Sequence, residues 1–189
     1  MMILGVDPGL AHLGLALYLP DTTSVWAMTT IRTKPAKDRK HHYKADDNVR
    51  RARDLAQGMS GWLSTQMCYR GVPRIKAICA EAQSWPRNAA ASAKVGMAWG
   101  VIVAWGYYDI PIYQLSPQKI KKHLCGKNSA SKQAVRDALM ARYDIADDMW
   151  PSTKKGREDA GDALAAAVAC WETHPVLVAA RCVTKNKEG

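Results

Sequence analysis

Ile3-Leu4-Gly5-Val6-Asp7-Pro8-Gly9 is an apolar run that stops at a carboxylate and a turn. Proline withdraws a ladder donor and glycine permits a tight turn, so the run reads as a buried strand with Asp7 at its end. His12 to Leu19 follows at once, then the Pro20-Asp21 turn, then Ser24 to Ile31 with its Val, Trp, Met and Thr residues. Three strands joined by short turns predict an antiparallel meander. The next stretch, Arg32 to Lys44, is almost wholly polar and strongly basic with Pro35 inside it, and reads as a loop.

Beyond that loop the period changes. Val49, Ala52, Leu55, Ala56, Met59 and Leu63 repeat at helical spacing over Asp46 to Gln66. Ile75 to Glu81 reads as a buried strand, again ending in a carboxylate. Asn88 to Tyr107 reads as a helix of small residues and Ile110 to Leu115 as a fifth strand. Ser116-Pro117 opens a short helix, since serine caps and proline suits the first helical position. Ser131 to Tyr143 and Arg157 to Trp171 complete the helices. Strands followed by alternating helices and strands predict an α/β fold with a mixed five-stranded sheet, three antiparallel strands then parallel additions, and helices on both faces. We expect one domain over residues 1–174 and a polar tail over 175–189.

The chain has 189 residues, enough for one sizeable core and short for two. Hydrophobic residues at 48% and charged residues at 23% argue against a disordered chain. The formal charge of +10 favours a polyanionic partner. The amino terminus lacks a basic segment before its apolar run, so it does not resemble a secretory signal. The longest apolar stretch, Val95 to Tyr108, falls short of the ~20 residues of a membrane span. Five scattered cysteines without a C-x-x-C pair give neither a zinc site nor a disulfide framework. We expect a cytoplasmic protein.

Four acids carry the functional reading. Asp7 and Glu81 end strands that can be neighbours in a mixed sheet, and Asp159 and Asp162 share one helix face. Gathered in one cleft, such charges need cations, and Mg²⁺ prefers carboxylates, water and phosphate oxygens. Taken singly, each also has a plainer role: a turn former, an exposed strand end, or a complement to a helix dipole. The histidines (His12, His41, His42, His123 and His174) lack metal-ligand spacing and read as solvated or capping residues.

The ordered set of motifs resembles the RuvC family of Holliday-junction resolvases, which are RNase H-like nucleases. It comprises Gly5-Val6-Asp7-Pro8-Gly9 with Gly14, Glu81 with Asn88, the Gly96 and Gly100 helix, Pro111 to Lys122, Gly126, Ala130-Ser131-Lys132, and Glu158 to Ala165. The resemblance spans about residues 2–173. It implies that Asp7, Glu81, Asp159 and Asp162 are catalytic ligands of two Mg²⁺ ions per site, with Mn²⁺ able to substitute. It further implies symmetric nicking of a four-way junction by a homodimer, leaving 5′-phosphate and 3′-hydroxyl ends. A branch-migration helicase is the further partner it suggests. For DNA contact it points to Lys121, Lys122 and Lys132, and beside them Arg87 and Lys94.

The sequence also departs from the family. The aromatic expected three residues after the strand-four glutamate is replaced by Ser84, with Trp85 one place on. Trp85 is a base-probing ring or a core side chain on equal grounds. The basic loop is long, and Gly161 stands where the family carries alanine. A less selective branched-DNA, flap or RNA–DNA hybrid nuclease, or a junction-binding protein without catalysis, therefore stays open.

Overall fold

The computed structural model describes residues 1–37, 43–68, 71, 73–82, 88–106 and 109–185. Strand β1 (Met2–Asp7) pairs antiparallel with β2 (His12–Leu19) and parallel with β4 (Ile75–Glu81). Strand β3 (Ser24–Arg32) extends the antiparallel side and β5 (Ile112–Leu115) the parallel side, giving the order β3-β2-β1-β4-β5. This is the expected mixed sheet. The fifth strand starts at Ile112 rather than Ile110: Pro111 has no N–H to give, and its carbonyl accepts from Ile78 at 2.9 Å.

Alternation along the strands divides the core in two. Leu4 and Val6 of β1, Leu13, Leu15 and Leu17 of β2, and Ile78 and Ala80 of β4 face helices α1 (Lys44–Met67) and α2 (Ala89–Gly106). On the opposite face, Ile3, Ala16, Tyr18, Ala77 and Cys79 meet α3 (Pro117–Cys125), α4 (Lys132–Arg142) and α5 (Lys154–Thr173). By its length and composition α2 could cross a membrane, yet Ala98, Trp99, Val101 and Ile102 bury one of its faces in this core.

Two helical expectations are corrected. Helix α5 begins at Lys154, three residues before the expected Arg157, because the Thr153 side chain caps it by accepting from Gly156 N at 3.1 Å. The expected tail from Pro175 is instead helix α6 (Pro175–Lys185), with Leu177 buried in the α5 side of the core. Proline there occupies the first helical position, where its missing N–H costs nothing.

Candidate active site

Period-two alternation puts Asp7 on the same face as Ile3 and Gly5, towards α5, and Glu81 on the same face as Ala77 and Cys79. The two acids therefore end neighbouring parallel strands and point to one side of the sheet. Helix α5 reaches them because glycines let it lie directly on the strands. A methyl group at Gly5 would overlap the carbonyl of Ala163, and one at Gly14, the residue opposite Asp7 in β2, would overlap that of Asp159. Thr30 Oγ1 holds the start of the helix by donating to Gly156 O at 2.8 Å. Asp159 and Asp162 lie beyond the first turn, where the helix dipole has faded, so the dipole does not account for them.

The result is a cleft of about 140 Å³ whose walls include Asp7, Glu81, Lys121, Lys132 and Asp162. Asp159 is only 2% exposed. Burial, reinforced by the charges of Asp162, Glu81 and Asp159, raises the Asp7 carboxyl from 3.8 to about 7, with Lys132 acting against it. Glu81 is also pushed up, first by burial and then by Asp162, while Lys132 and Lys121 oppose. Burial alone would lower Lys132, but its hydrogen bond to Asp162 and the charges of Asp162, Asp7 and Asp159 hold it above the usual lysine value. Asp7 thus feels the charge of all three other acids.

Two ammonium groups answer part of that charge. Lys132 Nζ donates to Asp162 Oδ2, and Lys155 Nζ donates to Asp159 Oδ1 at 2.5 Å. Among the described residues no three acid, histidine or cysteine side chains already enclose a metal. The donor chemistry nevertheless fits a hard divalent cation, being carboxylate oxygen from four residues with a surplus of negative charge. Asp159 Oδ2 supports the fit, since it is buried and has no hydrogen-bond partner.

Two residues adjoin Asp159, and one of them, His12, corrects the expectation of a solvated or capping histidine. His12 Nδ1 sits 3.6 Å from Asp159 Oδ2 and is itself buried without a partner, and Lys155 holds the other oxygen of the same carboxylate. The contact of His12 with Asp159 joins chain segments far apart in sequence, so spacing gave no signal. Lys155 sits one turn before Asp159 on α5, a pairing that the expected helix start at Arg157 does not show.

Of the expected DNA contacts, Lys121 and Lys132 line the cleft, while Lys122 is exposed on α3 outside it. Lys94 is elsewhere: it lines a separate cavity of about 550 Å³ with Tyr43, Lys44 and Arg51. Trp85 and Arg87 lie outside the described residues, as does Ser84.

Comparison with known proteins follows the same lines. The family model described as crossover junction endodeoxyribonuclease RuvC matches residues 3–170. A RuvC from Chlamydia abortus is 30% identical over 174 residues, covering 88% of this chain and 92% of that protein. One from Natranaerobius thermophilus is 28% identical over 171 residues, covering 89% and 92%. A solved structure of Thermus thermophilus RuvC in complex with a Holliday junction substrate superposes with a TM-score of 0.63 at 22% identity, covering 89% of this chain and 92% of that one. That likeness shows a shared fold.

Proposed function

Since the chain belongs to the RuvC family of crossover junction endodeoxyribonucleases, we propose that it resolves four-way DNA junctions by metal-dependent hydrolysis of phosphodiesters in opposed strands. The observation that supports this reading is the gathering of Asp7 and Glu81, at the ends of two parallel strands, with Asp159 and Asp162 of α5, where burial and then the neighbouring charges raise the Asp7 carboxyl to about 7.

These four residues would hold Mg²⁺, or Mn²⁺ in its place, as two ions. Bound there, the ions would supply activation of a water and compensation of charge on the leaving 3′ oxygen. The chain's own groups do the rest. The carboxylates form the cation-holding floor of the cleft, and Lys121 and Lys132 in its walls hold the scissile phosphate and neutralise its non-bridging oxygens as charge develops. The products then carry 5′-phosphate and 3′-hydroxyl ends. Arg87, Lys94, Lys122 and Trp85 remain candidates for contact with the junction arms, where backbone binding fixes position rather than sequence.

Two opposed nicks call for two sites, and α2 offers the surface for a homodimer. Val103 on it is 58% exposed, and an apolar groove between α1 and α2 is lined by Val49, Ala52, Ala56, Met97 and Ala104. We read residues 1–174 as the nuclease domain with α6 appended to it. A cytoplasmic location follows from the amino-terminal and cysteine pattern read above, and a branch-migration helicase partner from the family resemblance.

The test is strand-resolved cleavage of a synthetic four-way junction in Mg²⁺, beside linear duplex, a Y-fork and an RNA–DNA hybrid, with Asp7→Asn as control. Paired, ligatable nicks confined to the junction and lost in Asp7→Asn are expected. Equal cutting of duplex or hybrid would replace resolution by general nuclease activity. Tight junction binding with no cutting in either ion would leave a binding protein.

A further inference from the structure

A second cavity, of about 530 Å³, opens between α4 and the first turns of α5. It shares Lys132, Val135 and Asp162 with the carboxylate cleft, so the two spaces adjoin across these residues. Its volume lies within the range of about 300–1,000 Å³ usual for ligand sites. Its walls carry Lys132, Arg136, Lys154 and Arg157 against Glu158 and Asp162.

Not all of that charge is free. Lys132 is engaged by Asp162, and Arg157 donates to Asp147 at 2.8 Å and to the Pro151 carbonyl at 3.1 Å. Arg136 and Lys154 differ. Arg136 bonds the neutral Gln133 Oε1 at 3.1 Å and keeps its Nε buried without a partner. Among the described residues, the neighbouring ion pairs Lys132–Asp162, Lys155–Glu158 and Arg157–Asp147 leave Lys154 out. A guanidinium bonded only to a neutral amide and an ammonium outside these ion pairs, both lining one cavity, suit a phosphodiester.

We propose that this cavity holds the phosphodiester that follows the scissile one on the same DNA strand, with Arg136 and Lys154 as its anion partners. The inference rests on the nuclease reading above. A strand whose phosphate enters the carboxylate cleft must run out past one wall, and the wall bearing Lys132 leads to these cations. Contacts to backbone oxygens carry no base information, so the subsite is blind to sequence and sets the register of the strand.

The test measures junction binding in EDTA, where nothing is cut, for wild type, the double variant Arg136→Ala/Lys154→Ala, and Lys76→Ala. Lys76 is exposed on β4, and its replacement removes one positive charge away from the cleft, against two in the double variant. The double variant is expected to bind about tenfold more weakly. Its log–log salt slope should be shallower by about 0.7–0.9, the value for one lost phosphate contact. A neutral methylphosphonate is then placed at each of the phosphates flanking the scissile one. At one of them wild type should lose affinity and the double variant should lose none, which places the contact. Equal losses in both proteins at every position, or a matching slope change in Lys76→Ala, would overturn the subsite. If wild type binds the junction and this coupling is absent, only the subsite falls. If wild type fails to bind, the nuclease reading falls with it.

Discussion

Gly14 lies against the backbone carbonyl of Asp159, so close that a methyl group in place of its α-hydrogen would overlap that oxygen. The contact couples the second strand to the helix bearing two of the four acids. Gly14→Ala must push α5 away from the sheet, because backbone on both sides cannot swing aside as a side chain can. We expect a loss of about 1–3 kcal/mol in stability. Nicking should fall further than that loss explains, since Asp159 and Asp162 move with the helix. Melting curves and single-turnover cleavage well below the melting temperature check this. Lost stability with an unchanged rate would refute the positioning role.

Asp7→Asn should stabilise the protein while abolishing cleavage. An unfolded aspartate ionises near 3.8, whereas Asp7 in the fold ionises near 7. Between those values the unfolded state sheds a proton that the folded state retains, so stability falls as pH rises from about 4 to about 7 and then levels off. Each pH unit separating the two ionisations is worth about 1.4 kcal/mol, so the effect reaches a few kcal/mol at alkaline pH. In EDTA the variant should melt several degrees above wild type at pH 8 and level with it near pH 4. A constant difference at both pH values would contradict the assigned cause.

Lys132→Met removes the ammonium that answers Asp162 and opposes the upward shifts of Asp7 and Glu81. Without metal the variant should melt lower than wild type. Its gain in melting temperature on adding Mg²⁺ or Mn²⁺ should be larger, because an added cation then meets more unanswered charge. A smaller gain than wild type shows would mean that Lys132 assists cation binding instead of competing with it.

Val103→Glu places a charge on the exposed apolar surface of α2. Sedimentation should show wild type as a dimer at micromolar concentration and the variant as a monomer with an unchanged melting temperature in dilute solution. A dimeric variant would move the interface elsewhere.

Much of this site is legible in the sequence, for identifiable reasons. Asp7 and Glu81 each follow a short apolar run, and alternation fixes which way a strand's last residue points. Asp159 and Asp162 can be paired by helical spacing. The start of α5 is less legible because Lys154, Lys155 and Gly156 break the apolar period, and only the Thr153 cap marks the boundary. Helix α6 was hidden by Pro175, which serves equally to end one helix and to begin another. His12, read from the sequence as solvated or capping, is the instructive correction. Its significance lies in the buried Nδ1 facing Asp159 Oδ2, a tertiary contact that no local pattern encodes.

The buried side of α5 is built largely from small residues: Gly156, Ala160, Ala163, Ala165, Ala166, Ala167 and Ala169. Almost any exchange there adds volume where backbones already touch, and overpacking is felt at once. The other side of the sheet is filled by Leu, Met and Ile, which can trade places when total volume is kept. Mutational tolerance is therefore lopsided. A library randomised on both faces should return many survivors from the α1 and α2 side and few from α5, confining drift in this chain to the half of the molecule away from its chemistry.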